Sequence, residues 1–246
     1  MKDASIILFL LAALFSEILG TVGGFGSSVF FIPIANFFLD FQSVLGITAL
    51  FHVVSNISKI YLFRNQFDWK IILWIGLPSV ILVILGALLS AAWGSHLLQL
   101  ILGIFLCIFS IFFLIKPNLT LKPKRLNMVG YGGLAGFLAG LIGTGGAIRG
   151  LMLSSLGISK ELFVGTSAVI DFGVDLSRTV VYGLEGFIHL HDMVYIAGLF
   201  VVAFLGSYIG KLIIDRMKRE WFHRVVLIFV FFSGLAMMVK YFNPTL

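Results

Sequence analysis

Asp171, Asp175 and Arg178 sit about one turn apart inside the apolar run 162–182, which places them along one face of a helix. Carboxylates within a hydrocarbon-length segment are rare and usually functional. The matching positions in the first half of the chain are His52, Asn56 and Lys59, so a polar face recurs with its charge changed. Arg149 also falls at membrane depth, where a guanidinium costs at least about 2.5 kcal/mol unless it meets a partner or a cavity. It either grips a planar or tetrahedral oxyanion through two parallel hydrogen bonds or pairs with Asp171 or Asp175. Asp175 reads as the partner of Arg178 and Asp171 as the freer carboxyl. Asp171 or Asp175 then suits proton exchange, as does His52, whose unperturbed pKa is about 6.5. Glu17 is a further proton carrier, or else it snorkels toward a surface.

Two glycine clusters must position these groups. Gly20-Thr21-Val22-Gly23-Gly24-Phe25-Gly26 returns about 120 residues later as Gly140-Leu141-Ile142-Gly143-Thr144-Gly145-Gly146. Each interrupts an apolar run, and each glycine weakens a helix by roughly 1 kcal/mol relative to alanine, which implies deliberate breaks. The segments that follow, 27–39 and 147–156, are too short to cross a bilayer that needs about 20 helical residues. As half-helices they would start near the midplane and present unpaired N–H groups there, which makes an anion site. Gly23, Gly24, Gly26, Gly143, Gly145 and Gly146 supply its backbone, while Thr21, Ser27, Ser28 and Thr144 add hydroxyls and Asn56 an amide. The alternative is that the glycines serve only close helix packing.

Composition excludes a soluble globule: of 246 residues, 60% are hydrophobic and 11% charged, with mean hydropathy +1.10. The chain reads as an all-α polytopic membrane protein. Its net charge of +6 gathers in short loops, which encodes membrane orientation rather than nucleic-acid binding. The lone Cys107 offers no disulfide or metal cluster. His189, His191 and Asp192 are too thin a ligand set for a metal site. With no nucleophile–base pair and no cofactor motif, the reading is not an enzyme. The apolar run 6–15 after Lys2 is expected to be mature structure rather than a leader, because its counterpart lies deep inside the chain.

The chain divides into a first transmembrane repeat (1–115), a basic linker (116–126) and a second repeat (127–246). Apolar segments fall at 6–19, 27–39, 44–63, 71–92 and 97–115, then at 129–141, 147–156, 162–182, 193–214 and 222–242. Gly46 matches Gly165, Ala49 matches Ala168 and Lys59 matches Arg178. Keeping both strongly basic loops, 116–125 and 211–224, in the cytoplasm requires an odd number of net crossings per half. The repeats are then inverted, with both termini outside and the glycine-broken half-helices meeting near the bilayer midplane.

These paired glycine turns, with Pro33, Leu45-Gly46-Ile47-Thr48-Ala49 and Val164-Gly165-Thr166-Ser167-Ala168, resemble the sulfite exporter TauE/SafE family over essentially the whole chain. Two departures stand out: the first turn is less glycine-rich than expected, and Arg149 stands where a small or apolar residue is usual. The resemblance implies a multi-pass transporter of the bacterial inner membrane for sulfite, sulfonate, thiosulfate or a related sulfur-containing anion. Its expected partners are that small anion and membrane lipids, and a homodimer stays open. The predicted mechanism is alternating access with proton coupling; the alternatives are a membrane-embedded enzyme or assembly factor using the same cavity, or an anion channel.

Overall fold

The computed structural model describes residues 2–23, 26–116, 119, 121–122, 124–189, 192–214 and 219–243. Gly24 and His191 lie outside these residues, as do parts of both basic loops. The first half folds as α1 (Lys2–Gly23), α2 (Ser28–Ala35), α3 (Phe41–Leu62), α4 (Trp69–Ala92, with a π-helical turn at Ile72–Gly76) and α5 (Ser95–Ile115). The second repeats the order as α6 (Arg125–Ile142), α7 (Gly146–Ser154), α8 (Lys160–Leu184), α9 (Met193–Ile214) and α10 (Arg219–Phe242).

Local chemistry starts these helices at matching places. Asp40 caps α3 by accepting from the Ser43 N–H, and Ser159 caps α8 by accepting from the Leu162 N–H. α2 and α7, of 8 and 9 residues, are the short segments anticipated after the glycine turns. The breaks are narrower than the clusters. Gly20 through Gly23 and Gly140 through Ile142 stay helical, and the left-handed turns fall at Gly26 (φ 81°) and Gly143 (φ 79°).

The outer glycines pack instead. Gly132, Gly136 and Gly140 on α6 lie against the backbone of Ile75, Ser79 and Val83 on α4, where any Cβ would strike a carbonyl oxygen. On the other side Gly198, Gly206 and Gly210 of α9 receive Leu10, Glu17 and Thr21 of α1. Each pair is parallel, and each joins the first helix of one half to the fourth of the other.

The equivalent helices behave differently. Along α3 and α8, Gly46 meets Phe187, His52 meets Arg178 and Asn56 meets Asp175, so the two run antiparallel. α5 and α10 are antiparallel as well, with Gly103 against Met238 and the Cys107 thiol donating to the Phe231 carbonyl at 3.8 Å. Short turns at 63–68 and 93–94 bring α3 and α5 to end on one face. α9 ends there too, since Lys211 Nζ donates to the Leu62 carbonyl at 2.8 Å.

Among the described residues, five helices are long and apolar enough to cross a membrane: Ser5–Gly23, Phe41–Leu62, Trp69–Ala92, Ser95–Ile115 and Val194–Ile213. Their outward faces fit lipid. Leu73, Leu77, Ile81 and Leu85, four apart on α4, are 62%, 60%, 58% and 48% exposed. An apolar stripe that long would be costly in water, at roughly 25 cal/mol per Å².

Candidate functional site

The two glycine turns bring the starts of α2 and α7 together at mid-helix level of α3 and α8. A Cβ on Gly26 would lie 3.7 Å from Gly146 Cα, and Ser28 Oγ donates to Thr144 Oγ1 at 3.3 Å. Between them opens a polar cavity, walled by these turns, by His52, Asn56 and Lys59 of α3, and by Asp171, Asp175 and Arg178 of α8. Ser27, Ser28, Gly143, Gly145, Gly146 and Arg149 also line it. Of the anticipated residues, Gly23 is the last of α1 and outside that wall, Thr144 is buried behind Ser28, and Gly24 lies outside the described residues.

Among the described residues, three ion pairs occupy the cavity region. Arg178 Nε donates to Asp175 Oδ1 at 2.8 Å, the expected pair three residues apart, and its Nη1 donates to the carbonyls of Ala139 (3.2 Å) and Gly143 (2.9 Å) at the end of α6. Asn56 Nδ2 donates to the other Asp175 oxygen at 2.7 Å. Arg149 pairs with Asp171, which also accepts from Ser167 Oγ at 3.1 Å. Asp171 is thus paired as Asp175 is, because α7 begins beside the middle of α8 and the guanidinium reaches it; its side chain stays the more exposed of the two, 19% against 6%.

Glu17 does not snorkel. It is fully buried, because α9 packs its glycines against α1 and closes the way out. Its carboxylate accepts from Lys59 Nζ (2.7 Å), Ser27 Oγ (2.6 Å), Ser55 Oγ (2.5 Å), Ser207 Oγ (3.0 Å) and Thr21 Oγ1 (3.3 Å). A charge with five donors is the condition under which a carboxylate survives away from water.

His52 joins the clusters. A guanidinium only donates, so Arg178 Nη2, 3.3 Å away, assigns His52 Nδ1 as acceptor. Nε2 then carries the hydrogen and donates to Ser27 Oγ at 2.9 Å, and Ser27 in turn donates to Glu17. One hydrogen-bonded chain thus runs from Asp175 through Arg178, His52 and Ser27 to Glu17 and Lys59. Sequence reasoning missed Lys59 as the partner of Glu17, together with Ser55, Ser167 and Ser207. Ser55 and Ser167 had a signal, being one turn from His52 and Lys59 or from Asp171 on the same helix face; Ser207, on α9, had none.

The cavity continues in one direction. A second space shares Gly26, Asn56, Lys59 and Asp171 and extends past Ser167 to Phe163 and Val164 at the start of α8, toward the face where α3 and α9 end. On the opposite side the space is filled. Ile32 and Leu45 press on Gly143, and Tyr182, fully buried, stacks on Phe187 at 5.0 Å and donates to the Gly140 carbonyl at 2.5 Å.

Helix starts meeting at a charged cavity inside a bundle of apolar spans define a polytopic membrane protein with a buried polar cavity. A family model for the sulfite exporter TauE/SafE family matches residues 8–237, nearly the whole chain. The chain belongs to that family, and with it to the membrane transporters of sulfur-containing anions. No curated protein and no solved structure matches it.

Proposed function

We propose that the chain is a secondary transporter that moves one small sulfur oxyanion, such as sulfite, a sulfonate or thiosulfate, across the bacterial cytoplasmic membrane by alternating access, coupled to protons. The observation that carries this reading is Arg149 Nη1. The residue is 2% exposed, this nitrogen has no hydrogen-bond partner among the described residues, and the side chain lines the cavity between two helix starts. A buried, unpartnered guanidinium donor costs stability, and an oxyanion would satisfy it. The first N–H groups of α7, at Gly146 and Ala147, add the donors and dipole that such an anion needs.

Alternating access is supported by the lopsided cavity. Phe163, Val164 and Ser167 line the open side, whereas their counterparts in the first half, Val44, Leu45 and Thr48, are packed shut. Antiparallel equivalent helices support inverted repeats, in which exchanging the two packings would open the other side. With the basic linker in the cytoplasm, the open side faces inward.

The test is uptake of labelled sulfite, thiosulfate and methanesulfonate into proteoliposomes, with and without a proton gradient. Gradient-dependent movement of a sulfur oxyanion that Arg149→Ala abolishes is the expected result. Equal movement in the variant would refute the assigned site, and no movement of any of the anions would refute the substrate class.

A further inference from the structure

The charges around the cavity balance one to one. Lys59, Arg149 and Arg178 face Glu17, Asp171 and Asp175, each in its own ion pair. His52, accepting from Arg178, is neutral. An anion entering this site brings a charge that no cation among the residues lining the cavity is left to neutralise, and an uncompensated buried charge is expensive.

We propose that the site takes up one singly charged oxyanion together with one proton, and that Asp171 receives the proton as the anion replaces it on Arg149. This rests on the transporter reading above and specifies the charge of its substrate. The proton comes from water through the open cavity and adds to an Asp171 carboxylate oxygen. The neutral acid releases the guanidinium to the anion, and proton and anion leave together on the other side. The net charge of the site is then the same empty and loaded. A doubly charged anion would leave one negative charge over, so monoanions such as hydrogen sulfite or a sulfonate are preferred to sulfate.

The geometry singles out Asp171 from its neighbours. Glu17 accepts five hydrogen bonds and has no exposed surface. Asp175 takes a guanidinium and an amide donor from two helices, Arg178 and Asn56, with 6% of its side chain exposed, and His52 has both ring nitrogens engaged. Asp171 has one charged partner, Arg149, and a hydroxyl, Ser167; it is the most exposed of the three carboxylates at 19% of its side chain and lines both spaces. The ionic groups that face it are Arg149 of α7, Lys59 of α3 with His52 beyond, and Asp175 and Arg178 of α8. Of these, Arg149 has a buried nitrogen, Nη1, with no hydrogen-bond partner among the described residues.

The experiment is titration calorimetry of the purified protein with methanesulfonate, a permanent monoanion, and sulfate, a dianion above acid pH. Each is run in two buffers of different ionisation heat and across pH. Methanesulfonate should bind with uptake of about one proton, its affinity falling about tenfold per pH unit at the alkaline end. Sulfate should bind at least about tenfold more weakly. Asp171→Asn should bind methanesulfonate with no proton uptake and a flat pH profile, and the wild-type proton count stands by itself if that variant does not fold. Methanesulfonate binding without proton uptake overturns this inference alone, as does uptake that persists in Asp171→Asn. Sulfate binding as tightly as methanesulfonate overturns the charge limit. Binding of neither anion at any pH overturns the anion site itself, and this inference with it.

Discussion

Replacing Glu17 with glutamine should destabilise the protein strongly, and replacing Lys59 with methionine in the same chain should restore most of the loss. Glu17→Gln keeps the shape of the side chain but removes the charge that Lys59 Nζ meets at 2.7 Å, leaving the ammonium with Ser55 Oγ at 2.9 Å as its remaining partner. Breaking one partner out of a buried pair costs about 3–5 kcal/mol, whereas replacing both with neutral groups of similar volume is often close to neutral. For a chain of this length about 1 kcal/mol moves the melting temperature by roughly 2–4 °C, so the single variant should melt about 6–20 °C lower. The double variant should return to within about 4 °C of wild type, a non-additivity expected of residues in contact. Cys107 provides the assay. It is the one cysteine in the chain and is packed between α5 and α10, so its reaction with a maleimide dye on heating reports separation of those helices. A melting temperature for Glu17→Gln within 2 °C of wild type, or a double variant as unstable as the single, would refute the view that this pair is held by mutual neutralisation.

Gly136→Ala should lower the melting temperature by about 2–12 °C, because its Cβ would run into the Ser79 carbonyl and overpacking costs about 1–3 kcal/mol. Gly130→Ala, on the same helix with open space around it, should instead raise stability slightly, by up to about 1 kcal/mol. Equal effects of the two would contradict the backbone contact between α4 and α6. In a Cys107→Ala background, Ser167→Cys should react with a membrane-impermeant thiol reagent from the cytoplasmic side and Leu45→Cys should not, since Ser167 lines the open space and Leu45 is fully buried. Labelling of both at equal rates would contradict a cavity open to one side.

The helices were legible because the residues that end them are unambiguous. The 116–125 linker and the two glycine turns punctuate apolar runs, and observed boundaries fall within a few residues of those read from sequence. The glycine clusters were legible as landmarks but not in their division of labour. Gly20 and Gly140 pack while Gly26 and Gly143 turn, and spacing alone does not separate a glycine that needs a positive φ from one that needs an absent Cβ. Asp175 and Arg178 were legible as a pair because three residues on one helix must face together. Arg149 with Asp171 was one of two pairings that depth allowed, and only the approach of α7 to α8 decides it. The embrace of Glu17 by Lys59, Ser27, Ser55 and Ser207 was not legible, since its members come from four helices and their meeting depends on how α1 seats between α3 and α9.

The central claim, that an oxyanion sits against Arg149 between the starts of α2 and α7, is tested most directly by a crystal structure grown with selenite, whose selenium scatters anomalously. An anomalous peak within hydrogen-bonding reach of Arg149 and the Gly146 N–H, absent in Arg149→Ala, is the predicted result. A selenium peak elsewhere in the bundle, with the cavity at Arg149 holding none, would contradict it.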